Sequence, residues 1–222
     1  MALPERKLEG IVVSLAGSLL PLTFLAADPL VPLAGLTTLV MAAGLLCLFR
    51  IGDIRDSARE AALLVSGFAY VPLLLSHLVL LRSMANGVSW ILLVILIVMA
   101  GDTFAFYTGS TIGRRKLYPV VSPNKSVEGA LGGLAGSVAG AFIARATFFP
   151  QLTAVDALAT ALLLGVLGQL GDLFESLLKR SFGVKDSGVI VPGHGGILDR
   201  LDSVLFAAPA AFFYAYFVVA GR

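Results

Sequence analysis

The sequence predicts an all-α fold, a polytopic transmembrane helix bundle of about seven spans. Three observations carry that prediction. Hydrophobic residues make up 58% of the chain and charged residues only 14%, where soluble domains carry about a quarter charged. Mean hydropathy is +0.93, which points to lipid as the main solvent. The apolar residues also gather into stretches close to the roughly 20 residues that a membrane helix needs. A chain of 222 residues suits one compact bundle, so residues 1–222 read as a single integral membrane domain. A net charge of +2 gives no reason to expect nucleic-acid binding. The single cysteine, Cys47, excludes an intrachain disulfide and reads as a small buried hydrophobe.

The expected spans are about 10–27, 29–49, 61–81, 88–109, 129–149, 157–178 and 201–220. Arg6 and Lys7 precede the first, and no cleavage site of small residues follows it, so it reads as a retained helix. Only Asp28 and Pro29 separate the first two spans, which form either two helices across a tight turn or one broken element. His77, in the third, reads as an interhelical hydrogen-bonding residue. Trp90, at the start of the fourth, reads as an interfacial anchor. The fifth carries glycines four apart, Gly129 and Gly133, Gly132 and Gly136, and Gly136 and Gly140. That spacing lets helix backbones approach closely in lipid. No strand precedes these glycines, so they are not read as a dinucleotide-binding turn.

Basic residues orient the bundle. With the N-terminus inside, the inner segments hold Arg6, Lys7, Arg50, Arg55, Arg59, Arg114, Arg115, Lys116, Lys125, Lys179, Arg180, Lys185 and Arg200, which is 13 of 16. Arg82, Arg145 and Arg222 fall outside. This bias predicts a cytoplasmic N-terminus, an outer C-terminus and all polar motifs on the cytoplasmic side.

The chemistry-bearing stretch is Gly171 to Asp202, GDLFESLLKRSFGVKDSGVIVPGHGGILDRLD. Asp172, Glu175, Ser176 and Lys179 fall on one helix face, with Gly165 and Gly168 continuing it inward. From Ser181 to Gly196 runs a glycine-rich loop in which Gly193, Gly195 and Gly196 flank His194, suited to bringing backbone N–H groups near phosphate. Lys185 and Asp186 add a charged pair. Asp199, Arg200 and Asp202 open the last helix, where Asp199 and Asp202 share a face. An N-terminal cap explains one of these acids. It leaves the second acidic cluster, Asp172 with Glu175, to be explained. Carboxylates on two helices suit a hard cation such as Mg²⁺. Lys179, Arg180, Lys185 and Arg200 suit polyanionic phosphate. Together they point to phosphoryl or nucleotidyl transfer and leave the substrate open. Asp102 is an acid deep in the fourth span, facing the cavity or a base. Lys125 and Glu128 lie on the same side and serve as nucleotide contacts, a lipid-headgroup anchor or a surface salt bridge.

The run from Ser176 to Asp202 resembles the signature of the phosphatidate cytidylyltransferases, or CDP-diacylglycerol synthases. Ser176, Lys179, Arg180, Lys185, Asp186, Gly188, Pro192, His194, Gly195, Gly196, Asp199, Arg200 and Asp202 stand at that family's spacing. Val191 is a conservative departure. Residues 171–176 look like the family's GDLxES. Asp102 to Tyr107, Gly109, Gly113 and Ser122 to Gly129 are similar to its DTxAYxxGRxxGK and SPKKTWEG, with Ser110, Asn124, Ser126 and Val127 as departures. The resemblance covers about residues 95–222, the expected catalytic region, and residues 1–94 supply N-terminal spans of the same character. Members are often longer at the N-terminus, so the chain reads as a compact one.

The resemblance implies transfer of CMP from CTP to phosphatidate, giving CDP-diacylglycerol and pyrophosphate. It also implies Mg²⁺ dependence, a second cation such as K⁺, a homodimer in the membrane, and Asp172 and Asp199 as metal ligands. Asp202 and Glu175 join them as metal-side candidates, and Lys179 joins the catalytic set. Ser176, Arg180, Lys185, His194, Gly195, Gly196, Arg200, Lys125, Glu128 and Asp102 are the substrate-binding candidates. The phosphatidate phosphate is already an ionised nucleophile, so His194 is expected to contact phosphate, shape the loop or satisfy backbone carbonyls instead of acting as a base. The rival readings are a polyprenol or phytol kinase, a CDP-archaeol synthase and an ion-coupled transporter.

Overall fold

The structure is a computed structural model that describes residues 15–49, 54–188 and 196–221. Arg6, Lys7, Arg50, Val191, Pro192, Gly193, His194, Gly195 and Arg222 therefore lie outside the described residues, as does the Arg55 side chain. The described elements are α1 (Leu20–Thr23), α2 (Leu30–Phe49), α3 (Ile54–Phe68), a π-helical turn (Ala69–Leu73), α4 (Leu74–Ser83), α5 (Gly87–Ile112), β1 (Lys116–Tyr118), β2 (Ser122–Ser126), α6 (Val127–Thr147), α7 (Ala154–Ser181), α8 (Leu198–Tyr214) and a second π-helical turn (Ala215–Val219). The chain divides into two compact units, residues 1–80 and 81–222.

Six helical stretches among the described residues are long and apolar enough to cross a membrane. They are Leu30–Phe49, Asp56–Ser83, Gly87–Ile112, Val127–Thr147, Ala154–Ser181 and Leu198–Val219. These correspond to the second through seventh expected spans. The first expected span lies partly outside the described residues. Its described part is helical over 15–18, turns at Leu19 and ends its second piece at Thr23. Pro21, at the start of α1, lacks the N–H that would continue the preceding turn.

In the first unit, Asp28 closes the turn into α2 by accepting from the Leu30 N–H at 2.8 Å. α3 runs through Pro72 without breaking, because one π-helical turn absorbs the missing donor. One turn on, Ser76 Oγ donates to Pro72 O at 2.7 Å. His77 was expected to bridge helices. Its Nδ1 lies 3.0 Å from Leu73 O, one turn back on its own helix.

The second unit is built on α5, α6, α7 and α8. Successive helices reverse direction, so α5 and α7 end where α6 and α8 begin. Glycines hold α5 against α6. A Cβ on Gly136 would stand 2.6 Å from Ala100 O, and one on Gly140 would stand 3.1 Å from Leu96 O. Two polar bonds add direction to this packing: Ser137 Oγ to Ile97 O at 3.2 Å, and Gln169 Nε2 to Ala130 O at 3.0 Å. In lipid such packing and interhelical bonds replace the hydrophobic drive of water.

At the end away from the polar motifs, Thr153 caps α7 by accepting from Asp156 N at 3.1 Å. Buried Asp156 also accepts from Thr153 Oγ1 at 2.5 Å and Tyr214 Oη at 2.7 Å. Trp90 belongs to this end and corrects the expectation of an interfacial anchor. It is 2% exposed and meets the Phe149 ring edge to face at 5.2 Å. The helix start lies inside the bundle, so the indole packs inward.

The opposite end carries the one sheet among the described residues, an antiparallel pair of β1 and β2. Ser126 ends β2 and caps α6, accepting from Gly129 N at 3.1 Å.

Candidate active site

Three helix ends and the β hairpin converge where α7 finishes. α7 stops in a Schellman turn. Gly183 takes a positive φ of 69°, its N–H reaches Arg180 O at 3.0 Å, and Val184 N–H reaches Lys179 O at 3.0 Å. That reversal turns residues 184–188 back toward the start of α8.

The charged side chains sort into two connected groups. In the first, Lys125 of β2 forms an ion pair with Asp172 of α7 at 2.5 Å. Asp102 of α5 lies within electrostatic reach of both, and Asp202 of α8 within reach of Asp172, Glu175 and Asp102. Asp202 Oδ1 also accepts from the Ser203 N–H at 2.7 Å. Three carboxyl groups from three helices thus influence one another with one ammonium paired to Asp172, an excess of acid that favours a further cation. Asp102 follows Gly101, which is buried against Ser137. A small cavity about the size of one water lies below, lined in part by Asp102, Ser137, Gln169 and Ser203. Ser203 Oγ, buried beside it, has no hydrogen-bond partner among the described residues.

In the second group, Lys179 bridges Glu175, one turn back on α7, and Asp199 of α8 at 2.7 Å. Glu175 is fully buried, with its side chain 1% exposed, so this pair is shielded from water. Asp199 accepts three more bonds on Oδ2: Ser187 N at 2.9 Å, Ser187 Oγ at 2.7 Å and Gly196 N at 2.7 Å. The bond to Gly196 N ties down the residue that precedes the α8 cap position. The α8 cap position, Ile197, has no side-chain cap, so the capping role expected for one acid of the pair is not filled; Asp199 instead bonds the Gly196 N–H ahead of the helix.

The expected substrate-side residues are placed as follows. Arg180, Lys185 and Arg200 are exposed at this end, and Ser176 is half-buried on α7. Gly196 is buried at the α8 entry. Glu128 is engaged in holding backbone, accepting from Arg114 N at 3.0 Å and Arg115 N at 3.1 Å. It thereby fixes the point where the chain leaves α5 and displays Arg114, Arg115 and Lys116, all exposed, beside the site. Ser187 was not singled out from sequence. Only its place between a charged pair and a glycine marked it.

The donor set fits a hard cation, because every candidate ligand is a carboxylate oxygen. No three acidic, histidine or cysteine side chains among the described residues converge into a metal cage. An ion held by Asp172 and its neighbours would complete its shell with water or phosphate oxygens, which is the habit of Mg²⁺. Asp199 has little capacity left, with Oδ2 accepting three donors and Oδ1 one.

The chain is 44% identical over 155 residues to a phosphatidate cytidylyltransferase of Staphylococcus saprophyticus, a stretch covering 70% of this chain and 59% of that protein. Proteins of the same name from Staphylococcus haemolyticus and Staphylococcus aureus are each 43% identical, over 155 and 162 residues, at the same coverage. The chain thus spans about 59% of the length of the relatives it matches. A family profile extends the likeness over residues 2–218 and so takes in both compact units: the chain belongs to the cytidylyltransferase family.

Proposed function

We propose that the chain is a phosphatidate cytidylyltransferase, transferring CMP from CTP to phosphatidate to give CDP-diacylglycerol and pyrophosphate. The observation that carries the reading is the Lys125–Asp172 ion pair with Asp102 and Asp202 within electrostatic reach of Asp172 at the basic end of the bundle. A phosphatidate oxygen attacks the α-phosphorus of CTP. The bond from that phosphorus to the bridging oxygen breaks, and pyrophosphate leaves with the electron pair. The nucleophile is already ionised, so no general base is needed.

The main barrier is repulsion between two polyanions. Arg180, Lys185 and Arg200 draw phosphate oxygens to the site. Lys179 is held by two carboxylates and sets the geometry of α7 against α8. Lys125 keeps Asp172 in place. Asp172, with Asp102 and Asp202 beside it, would hold Mg²⁺, which when bound supplies positive charge to the phosphate oxygens and the departing pyrophosphate. The resemblance supports a second cation such as K⁺ and a homodimer as further parts of this proposal. The charge distribution supports placement in the cytoplasmic membrane, with the N-terminus and site cytoplasmic and the C-terminus outside.

The test is pyrophosphate release by the purified chain in phosphatidate-containing micelles. Release should require CTP, phosphatidate and Mg²⁺ together, and a lipid-linked CMP should accumulate in equal amount. CDP release with a phosphorylated lipid would show a kinase instead. Cation flux in vesicles without CTP turnover would show a transporter.

A further inference from the structure

The proposed reaction leaves one feature of the site unexplained: three donors on a single oxygen of Asp199. Ser187 supplies two of them and Gly196 the third. These residues stand on either side of the segment 188–195. The departing and returning backbones touch there, since a Cβ on Gly188 would lie 3.5 Å from the Gly196 Cα. A Cβ on Gly196 would meet Gly188 N at 2.8 Å and collide with Ser187 Oγ. The other oxygen of Asp199 is held by Lys179, whose second partner is the buried Glu175. Asp199 is thereby anchored to α7 from below and grips both ends of the glycine-rich segment from above.

We propose that Ser187 is a positioning residue, which acts through Asp199 to lock the two ends of the glycine-rich segment together at the site before nucleotide arrives. This rests on the cytidylyltransferase reading for its kinetic consequence, though not for its geometry. Serine suits the position because it brings a backbone N–H and a side-chain O–H to one acceptor. Threonine keeps both and alanine keeps one. Tying the ends in advance removes ordering entropy that substrate binding would otherwise have to offset. The effect therefore belongs in nucleotide affinity more than in the chemical step.

The experiment compares the full-length chain with its Ser187→Ala and Ser187→Thr variants in detergent, by hydrogen exchange and by steady-state kinetics. Ser187→Ala should speed exchange at the Ser187 and Gly196 amides about tenfold, the weight of a hydrogen bond to a charged group. Exchange within α7 and α8 should stay unchanged. KM for CTP should rise by about the same factor with kcat little altered, and Ser187→Thr should restore both readouts. Unchanged exchange at Gly196 in Ser187→Ala would overturn the proposal. So would faster exchange spread through α7 and α8, which would mark a merely structural serine. An altered exchange rate with KM for CTP unmoved would also overturn it. If the wild-type chain formed no CDP-lipid, the functional reading would fail, and the exchange result would still decide the latch.

Discussion

Asp172 and Asp199 were paired as metal ligands by the resemblance, yet their surroundings differ. Asp172 has one close cation and acidic neighbours on two other helices. Asp199 is surrounded by donors. Replacing Asp172 with Asn should lower kcat by at least about 10²–10³, the usual loss for one electrostatic element of a site. Circular dichroism of the bundle should not change. Near-normal turnover would remove Asp172 from the mechanism. Lys179→Met should act mainly on stability, because it strands the buried Glu175. The cost of breaking such a pair is about 3–5 kcal/mol, read as a marked fall in melting temperature in detergent. The double variant Lys179→Met, Glu175→Gln should recover much of that loss.

Sequence spacing was enough to put Asp172, Glu175 and Lys179 on one face, because helical period alone decides it. It was not enough to show that Glu128 grips backbone. That depends on where α5 ends and how the hairpin folds over it.

Among the elements, the spans were legible because each is a long apolar run whose length the membrane sets. The hairpin of β1 and β2 was not. It has eight strand residues, includes Pro123 and shows no alternating pattern. Its formation follows from tertiary contacts, with Lys125 drawn to Asp172 and the Glu128 carboxylate closing the turn. Trp90 was misplaced for a related reason. Sequence gives a helix terminus, while burial depends on which neighbour covers it.

The glycine stripe of α6 was read correctly as packing, and that gives a test. Gly136→Val should separate α5 from α6, since even its first carbon would lie 2.6 Å from a carbonyl oxygen and as close to Phe104. Overpacking of this kind costs about 1–3 kcal/mol. Thermal melting should register the loss, while Gly44→Val, where nothing stands within 4 Å, should be silent.

At the scale of the whole molecule, the arrangement separates charge by face. One end of α5 to α8 carries Arg114, Arg115, Lys116, Lys125, Arg180, Lys185 and Arg200, and the other end carries Arg82 and Arg145. Cysteines introduced at Lys116 and Lys185, in a Cys47→Ala background, should therefore react with an impermeant thiol reagent from the same side of a sealed vesicle. Labelling from opposite sides would separate the hairpin from the glycine-rich turn and leave no common site. The bundle brings acids from α5, α7 and α8 to this basic end, and the proposed transfer from CTP to a membrane lipid needs that end to lie at the headgroup level.

The most direct test of this account follows the fate of the nucleotide's phosphorus. Purified chain in phosphatidate vesicles with Mg²⁺ is given CTP labelled either at the α- or at the γ-phosphate. The account predicts that only the α label enters the lipid fraction and that the γ label is recovered as pyrophosphate. Transfer of the γ label to lipid would contradict it.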